Sequence, residues 1–496
     1  MAVTAVYELP DIHKVLRDGC HLIDGAWAPA RSGATIDVLD PSNGTLLARV
    51  ARGDAPDVAD AVTAAQAALP AWRDTSPAER GELLYRWAEL TLEYDEVINV
   101  LQAAEVGHPV GPSPIAARLK YLAGKADKVL GRTLPTRSPD LLGLTLREPY
   151  GVVGAIIPWN VPGPFTVFNT APAMAAGNTV ILKPAEDAPL TALFLAWLAL
   201  EAGIPPGVLN VVTGYGAEAG AALPAHPGVR KMAFTGSPAT GAAVMAACAR
   251  NLIPLQLELG GKSPQILFPD ADLNRALPAI VASITANAGQ VCAAGSRLLV
   301  PDSLHETVVA EIARRFAALR IGAWTTPADM GPLINAVQER RVLDYIAAGS
   351  AEGADLVHGG HKLEGDAYDR GFFVEPTLFD GVRPGMRIAQ EEIFGPVLSV
   401  LPYRDGDEDS AIDIANGTRY GLTATVWTRD LGRAVRVARR IEAGQVAINV
   451  VGDGGPRGAI GAPFGGYKDS GFGRSMGPDF VEDWTQEKAL IIDAAV

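Results

Sequence analysis

Short apolar segments alternate with longer segments of helical character through most of the chain after residue 150. The first candidate strands are residues 151–157, 179–184, 208–214, 231–236 and 254–261. Between them lie two candidate helices, the Ala- and Leu-rich segment 188–202 and the segment 238–249, which opens at Pro238. This alternation is typical of parallel βαβ units, in which helices cover a sheet. We therefore expect a parallel sheet in this part of the chain.

The same alternation begins again after residue 262. The candidate strands here are 264–268, 297–300, 397–402, 423–427 and 445–449, and the candidate helices are 272–287, 303–319, 335–351 and 430–441. The pattern predicts a second α/β domain.

Two further segments, 133–149 and 483–493, fit neither sheet, and their apolar and polar residues roughly alternate. Both are predicted to be projecting strands. A projecting strand has an exposed edge, and pairing with another subunit is one way to cover it. We therefore expect the protein to associate with copies of itself.

Composition narrows the class of protein. The chain has 496 residues, of which 48% are hydrophobic and 20% charged, which suits two or three globular domains. A net charge of −14 argues against a nucleic-acid partner. The longest apolar run, 190–200, is shorter than the roughly 18 residues that suggest a membrane span, so no membrane association is expected.

Cysteine usage and the N-terminal segment both indicate the cytoplasm. The three cysteines, Cys20, Cys248 and Cys292, are odd in number and far apart, as expected of reduced thiols rather than a disulfide framework. Glu8 and Pro10 interrupt the N-terminal segment before an apolar signal core can form.

Three residues are candidates for chemistry. Cys292, within GQVCAAGSR, has small neighbours that leave room for a carbonyl group, and a thiolate there could act as a nucleophile, although a lone cysteine is more often a buried structural residue. Glu258, within LELGGKSP, follows an apolar strand and could be either a general base or a structural ion-pair partner. Asn160, in PWN, could donate to an oxyanion, while a turn-forming asparagine is the simpler interpretation on local grounds.

Two glycine-containing segments, 210–220 and 234–241, each follow a strand and open a helix, so their backbone N–H groups could contact a phosphate. Neither matches a standard nucleotide-binding fingerprint. Lys183 and Glu186 follow the strand at 179–184 and could hold ribose hydroxyl groups. No spacing of His, Cys or acidic residues indicates a metal site, because His358 and His361 lack a third ligand.

Taken together, the motifs resemble those of the aldehyde dehydrogenase superfamily, in the order in which that family has them. They are PWN at 158–160, KPAE at 183–186, FTGS at 234–237, LELGGKSP at 257–264, GQVC at 289–292, EEIFGPV at 391–397 and PFGGYKDSGFGR at 463–474. The resemblance implies two Rossmann-like, doubly wound domains and a β-strand oligomerisation arm. It places a cofactor-binding domain at 1–126 and 150–258, a catalytic domain at 259–475, and the arm at 127–149 and 476–496, in a homodimer or homotetramer.

The resemblance also implies roles for individual residues. Cys292 would be the nucleophile, Glu258 the base that hydrolyses the thioester without coenzyme A, and Asn160 with the Cys292 backbone N–H the oxyanion hole. NAD would be the cofactor, with NADP possible but less favoured because Glu186 would repel a 2′-phosphate. The implied cofactor contacts are Trp159, Lys183, Glu186, Gly216, Phe234, Gly236, Ser237, Gly241, Leu259, Glu392 and Phe394.

The substrate is expected to be an uncharged, apolar aliphatic or aromatic aldehyde. The residues expected to line its entrance are Val161, Pro164, Phe165, Phe168 and Val291. A semialdehyde is an alternative substrate, because the cation of Arg457 could bind the carboxylate of such a molecule. A family member kept as a binding protein without turnover is a further alternative. Relatives often carry Lys and Glu where this chain has Asn169 and Ser475. We therefore expect Glu258 to lose its proton through water held by these two neutral residues, or through backbone carbonyls.

Overall fold

The first sheet of the molecule carries the parallel strands predicted after residue 150. The computed structural model describes residues 7–451 and 459–493. In spatial order the strands of this sheet are Ala26–Pro29, Cys20–Ile23, Leu209–Val211, Thr179–Lys183, Val152–Ile156, Lys231–Thr235, Leu255–Glu258 and Gly471–Phe472. The central five run parallel in the chain order 3-2-1-4-5 of a Rossmann half. Such sheets bind ligands where the strand order reverses, which here lies between strands 152–156 and 231–235.

Helices cover the first sheet. They are Ala55–Asp74, Pro77–Glu93, Asp95–Val106, Ile115–Ala123, Pro162–Ala175, Leu190–Glu201, Ala221–Ala225 and Pro238–Asn251. Strands 152–156, 179–183 and 231–235 are buried along their whole length, as expected of a parallel sheet with both faces covered.

The helix Leu190–Glu201 is apolar on nearly all sides, and its N-terminus is held by a buried carboxylate. The backbone N–H groups of Leu190 and Thr191 donate to Glu105 at 2.7 and 3.0 Å. These are donors that the helix itself cannot satisfy. Glu105 therefore caps a helix that lies entirely inside the first domain.

The second sheet contains the strands predicted after residue 262. In spatial order they are Asp355–His358, Thr377–Asp380, Val397–Tyr403, Arg297–Pro301, Pro264–Leu267, Thr423–Trp427 and Gln445–Ile448. All pairs are parallel except the edge pair that 355–358 makes with 377–380. The helices of this part are Leu273–Thr285, His305–Ala317, Ala336–Ala351, Arg387–Gln390, Glu408–Asn416 and Leu431–Ala438.

The two segments predicted to project pair with each other. Thr485–Asp493 runs antiparallel to Leu141–Pro149 over nine residue pairs, and Thr133–Leu134 adds a short third strand. Apolar side chains stay exposed on this arm, among them Ile491 at 73% exposure. Two smaller pairs, Thr35–Leu39 with Leu46–Ala51 and Tyr420–Gly421 with Tyr467–Lys468, complete the strands of the described residues.

The predicted fold class is confirmed, and the deviations from the predicted elements are local. The helix expected over 272–287 ends at Thr285, because Asn287 and Ala288 adopt positive φ values of 48° and 52°. Gly471–Phe472, for which no strand is predicted, forms a short strand that extends the first sheet by pairing with Leu257–Glu258. The domain boundaries themselves stay predictions. Within the described residues, none of the helices is long and apolar enough to cross a bilayer.

Candidate active site

A cavity of about 200 Å³ lies where the ends of strands 152–156, 231–235 and 255–258 meet loops of the second sheet. It gathers residues that the sequence predicts for chemistry and for cofactor binding. These are Trp159, Asn160, Phe165, Gly236, Ser237, Glu258, Leu259, Cys292, Glu392 and Phe394, joined by Pro158, Thr235, Gly260, Gln338 and Arg341. Segments more than 200 residues apart in the sequence therefore meet at the switch point of the first sheet.

The loop that presents Cys292 has a strained backbone. Asn287, Ala288 and Gly289 have φ values of 48°, 52° and 72° in succession. Left-handed conformations are unfavourable for residues with a Cβ, so the surroundings must hold them in place. Gln290, which is fully buried, does so in part, because its side-chain amide donates to the Asn287 carbonyl at 3.0 Å.

Cys292 is half-buried in the cavity. Loss of water around the thiol, followed by the carboxylates of Glu392 and Glu258, raises the pKa of Cys292 to about 12, while the backbone N–H groups of Ala293 and Cys292 act in the opposite direction. The thiol is thus protonated at neutral pH in the protein alone. A positive charge brought next to it would favour the thiolate that nucleophilic attack requires.

Glu258 ends the strand Leu255–Glu258 and is 4% exposed. Burial raises the pKa of Glu258 to about 8, although hydrogen bonding from Ser475 and the positive charge of Arg474 oppose this shift. Ser475 Oγ donates to Glu258 Oε1 at 3.3 Å, whereas Oε2 is buried and has no hydrogen-bond partner in the described structure. A carboxyl group with a pKa near neutrality and an unsatisfied oxygen can accept a proton from water.

Asn160 joins the strand ends of the first sheet to the cysteine loop. Its Nδ2 donates to the Gln290 carbonyl at 2.9 Å, and Asn287 Nδ2 donates to the Asn160 carbonyl at 2.8 Å. A side-chain amide nitrogen carries two hydrogens, so one can serve the loop and the other an oxygen atom in the cavity. Asn160 is therefore placed so that it could support an oxyanion beside Cys292.

The side chain of Asn169 bonds to its own helix. Its Nδ2 donates to the Phe165 carbonyl, one turn earlier in the helix Pro162–Ala175, at 2.8 Å. Ser475, in contrast, contacts Glu258 directly. Of the two neutral residues expected near the base, the described structure gives only Ser475 a hydrogen bond to it.

Glu392 lies on the other side of Cys292 and is held by the backbone. The Gly261 N–H donates to Glu392 Oε1 at 3.0 Å, and a Cβ on Gly260 would overlap Oε2. Burial raises the pKa of Glu392 to about 7. Nearby, the rings of Trp159 and Phe394 meet edge to face with centroids 5.4 Å apart. This part of the cavity thus offers one carboxylate and a pair of contacting aromatic rings.

The remaining predicted cofactor contacts lie along the same edge of the first sheet. Ser237 caps the helix Pro238–Asn251 by accepting from the Thr240 N–H at 3.2 Å, and Gly236 precedes it. Lys183 is buried and donates to Glu186 at 3.0 Å, and burial lowers the pKa of Lys183. Other predicted residues around this edge are Gly216, at the start of a short helix, Phe234, buried in its strand, and Gly241, whose missing side chain makes room for Leu259.

Gln338 and Arg341 line the cavity but were not among the predicted residues. Both lie on the helix Ala336–Ala351, from which Gln338 Nε2 donates to the Phe394 carbonyl at 2.7 Å and Arg341 donates to the Glu392 carbonyl at 2.5 Å. Their effect is to fix the segment that carries Glu392 and Phe394. Helical periodicity shows that this helix has a polar face but not what that face contacts.

A second, larger cavity of about 510 Å³ borders the cysteine loop. Val291 and Ala293, the chain neighbours of Cys292, line it, together with one face of the helix Leu273–Thr285. That face contributes Ala279, Ala282 and Ser283, and further lining residues are Arg275, Ala286, Ala294, Trp427, Asn449, Val450 and Val451. Cys292 itself lines the smaller cavity, and both of its chain neighbours line the larger one.

The residues predicted to line the substrate entrance are only partly brought together. Among the described residues, Val291 lines the larger cavity and Phe165 the smaller one, while neither lining includes Val161, Pro164 or Phe168. Pro164 is buried in its helix, and Phe168 packs under Arg118, whose guanidinium carbon lies 4.4 Å from the ring centroid. Arg457 lies outside the described residues.

Among the described residues, His, Cys, Asp and Glu side chains do not form a cluster of three or more that could hold a metal ion. The two histidines weighed for this role, His358 and His361, both approach the carboxylate of Glu375, at 3.5 and 3.4 Å. The site therefore consists of a thiol, carboxylates, amides and backbone donors.

Comparisons with known proteins identify the family of the chain. A profile of the aldehyde dehydrogenase family matches residues 27–490. The phenylacetaldehyde dehydrogenase of Pseudomonas fluorescens is 42% identical over 488 residues, with 95% of each chain covered. A solved NAD+ complex of an aldehyde dehydrogenase from Bacillus cereus is 38% identical, with a TM-score of 0.94 over 99% of this chain and 100% of the other. A mutant indole-3-acetaldehyde dehydrogenase from P. syringae, in complex with NAD+ and IAA, is 41% identical, with a TM-score of 0.93 over 97% and 98%.

Proposed function

Because the chain belongs to the aldehyde dehydrogenase family, we propose that it oxidises an aldehyde to the carboxylic acid, with NAD as hydride acceptor and Cys292 as covalent nucleophile. The observation that carries the proposal is that Cys292, Glu258 and Asn160 line one cavity, while the chain neighbours of Cys292 line a second one. A nucleophile, a base and an oxyanion donor are the groups that acyl transfer through a thioester requires.

The groups along the smaller cavity suit parts of a dinucleotide, namely its diphosphate and one ribose. The N-terminus of the helix Pro238–Asn251, with Ser237 and Gly236, offers backbone N–H groups suited to a diphosphate. Glu392 offers a carboxylate for ribose hydroxyl groups. When bound, NAD supplies the hydride acceptor and a positively charged ring beside the thiol, which favours the thiolate.

The residues of the chain then act in order. Cys292 Sγ adds to the aldehyde carbon, and the amide of Asn160 with the Cys292 backbone N–H donates to the carbonyl oxygen as it gains charge. Once the substrate is oxidised to a thioester on Cys292, Glu258 accepts a proton from water, and the resulting hydroxide attacks the carbonyl carbon. The carbon–sulfur bond breaks, and the carboxylic acid leaves.

The preference for NAD over NADP rests on Glu186, which lies beside Lys183 at 3.0 Å. A carboxylate at this point can accept from a ribose 2′-hydroxyl but repels a 2′-phosphate. Two solved relatives are in complex with NAD+, which supports NAD as the cofactor.

The substrate is proposed to be a bulky, largely apolar aldehyde that reaches Cys292 through the larger cavity. Alanine and valine side chains dominate its walls, with Trp427 as an aromatic surface. A cavity with apolar walls binds apolar molecules preferentially, and a volume of about 510 Å³ is large enough for an aryl-substituted aldehyde. Two relatives are named for such substrates, phenylacetaldehyde and indole-3-acetaldehyde.

Self-association is proposed to occur through the arm formed by 141–149 and 485–493. Its exposed apolar side chains, above all Ile491, give a second copy an apolar surface to cover. The three cysteines are unpaired, which suits the reducing cytoplasm that we propose as the compartment.

The direct test mixes purified protein with NAD and phenylacetaldehyde and follows the nicotinamide absorbance, with mass spectrometry to identify the product. We expect carboxylic acid to form without coenzyme A, and Cys292→Ala to abolish turnover. Acid formation that required coenzyme A, or unchanged turnover in Cys292→Ala, would overturn the proposal.

A further inference from the structure

A hydrogen-bonded chain of neutral groups leads to the proposed base. Gln256 and Glu258 are two residues apart on the strand Leu255–Glu258, so their side chains lie on the same face. Ser475 lies between them: Gln256 Nε2 donates to Ser475 Oγ at 2.9 Å, and Ser475 Oγ donates to Glu258 Oε1 at 3.3 Å.

The surroundings are built to hold this arrangement. Gln256 is 5% exposed, and Gly473 leaves room for it, since a Cβ there would come within 2.7 Å of Gln256 Cγ. Gly473 also has a φ of 90°, which disfavours any other residue. Reciprocal backbone hydrogen bonds of 2.7 Å between Ser475 and Phe464 fix the position of the serine.

The direction of the chain follows from the chemistry of its members. An amide nitrogen can only donate, so with Gln256 Nε2 facing it the Ser475 oxygen must accept. The serine hydroxyl hydrogen is then available for Glu258. A donor aimed at a carboxylate stabilises its ionised form.

The charged and titratable groups around Glu258 are Arg474, which favours the ionised base, and the Cys292 thiol, which is protonated in the protein alone. Glu258 Oε2, buried and without a partner among the described residues, remains as the acceptor for a water proton.

We propose that Gln256 is a positioning residue that acts through Ser475, directing the serine hydroxyl onto Glu258 Oε1 so that the base is ionised and Oε2 is turned towards the attacking water. This proposal rests on the proposed function of Glu258 as the base. It explains how a neutral pair can serve this base in place of a charged relay.

The test measures the rate of thioester hydrolysis against pH, as acid released in single turnovers by rapid quench. In the unaltered protein the rate should rise as pH increases through about 8, where Glu258 loses its proton. Ser475→Ala removes the hydroxyl group, and Gln256→Met keeps the side-chain volume but removes the donor. Each substitution should shift the rise in hydrolysis rate to a pH about one unit higher. Each should slow hydrolysis at pH 7 by about 10-fold, because the rate follows the ionised fraction.

Coupling between the two residues is the decisive readout. In the double variant the upward shift of the pH profile should be smaller than the sum of the two single shifts, because Gln256, which also interacts with Glu258 directly, acts in part through the serine. Ser475→Thr, which keeps a hydroxyl group, should give the pH profile of the unaltered protein. The affinity for NAD should be the same in all these variants, because neither Gln256 nor Ser475 contacts the proposed dinucleotide.

An unchanged pH profile in Gln256→Met, or effects that add in the double variant, would overturn the inference. Glu258→Gln separates this failure from failure of the proposed function. If that variant still hydrolyses the thioester at the normal rate, Glu258 is not the base; if it stalls while the other variants do not, only the role of Gln256 is refuted.

Discussion

Gly260→Ala is a small change that should weaken cofactor binding by displacing one carboxylate. The added Cβ would overlap Glu392 Oε2, whereas the φ of Gly260 lies outside the left-handed region, so the backbone accepts alanine. To regain an ordinary contact, the carboxylate must retreat by about 1 Å. That movement breaks the 3.0 Å hydrogen bond from the Gly261 N–H and takes the carboxylate away from the ribose it is proposed to hold.

The magnitude follows from the hydrogen bonds at stake. A hydrogen bond to a charged group contributes about 1.5–3 kcal/mol, and 1.4 kcal/mol corresponds to a factor of ten in affinity. We expect the Kd for NAD, measured by titration calorimetry, to rise about 10- to 100-fold. The thermal unfolding temperature should also fall, because the hydrogen bond from the Gly261 N–H to Glu392 is lost in the unliganded protein as well.

Two comparisons isolate the cause. Gly385→Ala, where a Cβ would meet nothing within 4 Å, should leave NAD affinity unchanged. In a protein that already carries Glu392→Gln, Gly260→Ala should weaken NAD binding much less than it does in the original chain. The hydrogen bonds to the charged carboxylate are already lost there. A Gly260→Ala protein that binds NAD normally would refute the reasoning, since the displaced carboxylate would then have no part in binding.

Three further predictions test other parts of the account. Glu186→Ala should raise the kcat/KM for NADP relative to that for NAD, because the repulsion of a 2′-phosphate is removed; an unchanged ratio would show that Glu186 does not select the cofactor. Ala282→Phe should narrow the larger cavity and lower the kcat/KM for phenylacetaldehyde relative to propanal by about 10-fold, and an unchanged ratio would place substrate entry elsewhere. Ile491→Asp, on the exposed face of the arm, should shift the protein towards smaller assemblies in sedimentation analysis, and no shift would mean that this face is not an interface.

Much of the site could be anticipated because its motifs lie at strand ends and loops. Glu258 ends a strand and Asn160 follows one, and parallel strands bring such positions to one edge of a sheet. The resemblance to aldehyde dehydrogenases, a family that the comparisons confirm, predicted that Glu258 and Asn160 act together with Cys292.

What escaped prediction depends on contacts between distant segments. Gln256 and Ser475 are 219 residues apart, and neither shows in the sequence that the other is its partner. Arg341 contacts the Glu392 segment through the packing of one helix against a loop. The larger cavity exists because small residues such as Ala282 face it. The sequence predicts a substrate entrance from bulky apolar residues, and most of these lie on the helix that carries Phe168.

The most direct test of the central claim is to trap the substrate on Cys292. Glu258→Gln, mixed with NAD and phenylacetaldehyde, should form about one NADH per subunit and then stop, because the thioester forms but no base activates water. Peptide mass spectrometry of the quenched protein should find the acyl group on the peptide that contains Cys292, and little free acid should be present. Continuous acid formation by this variant, or an acyl group on any other residue, would contradict the assignment of Cys292 as nucleophile and Glu258 as base.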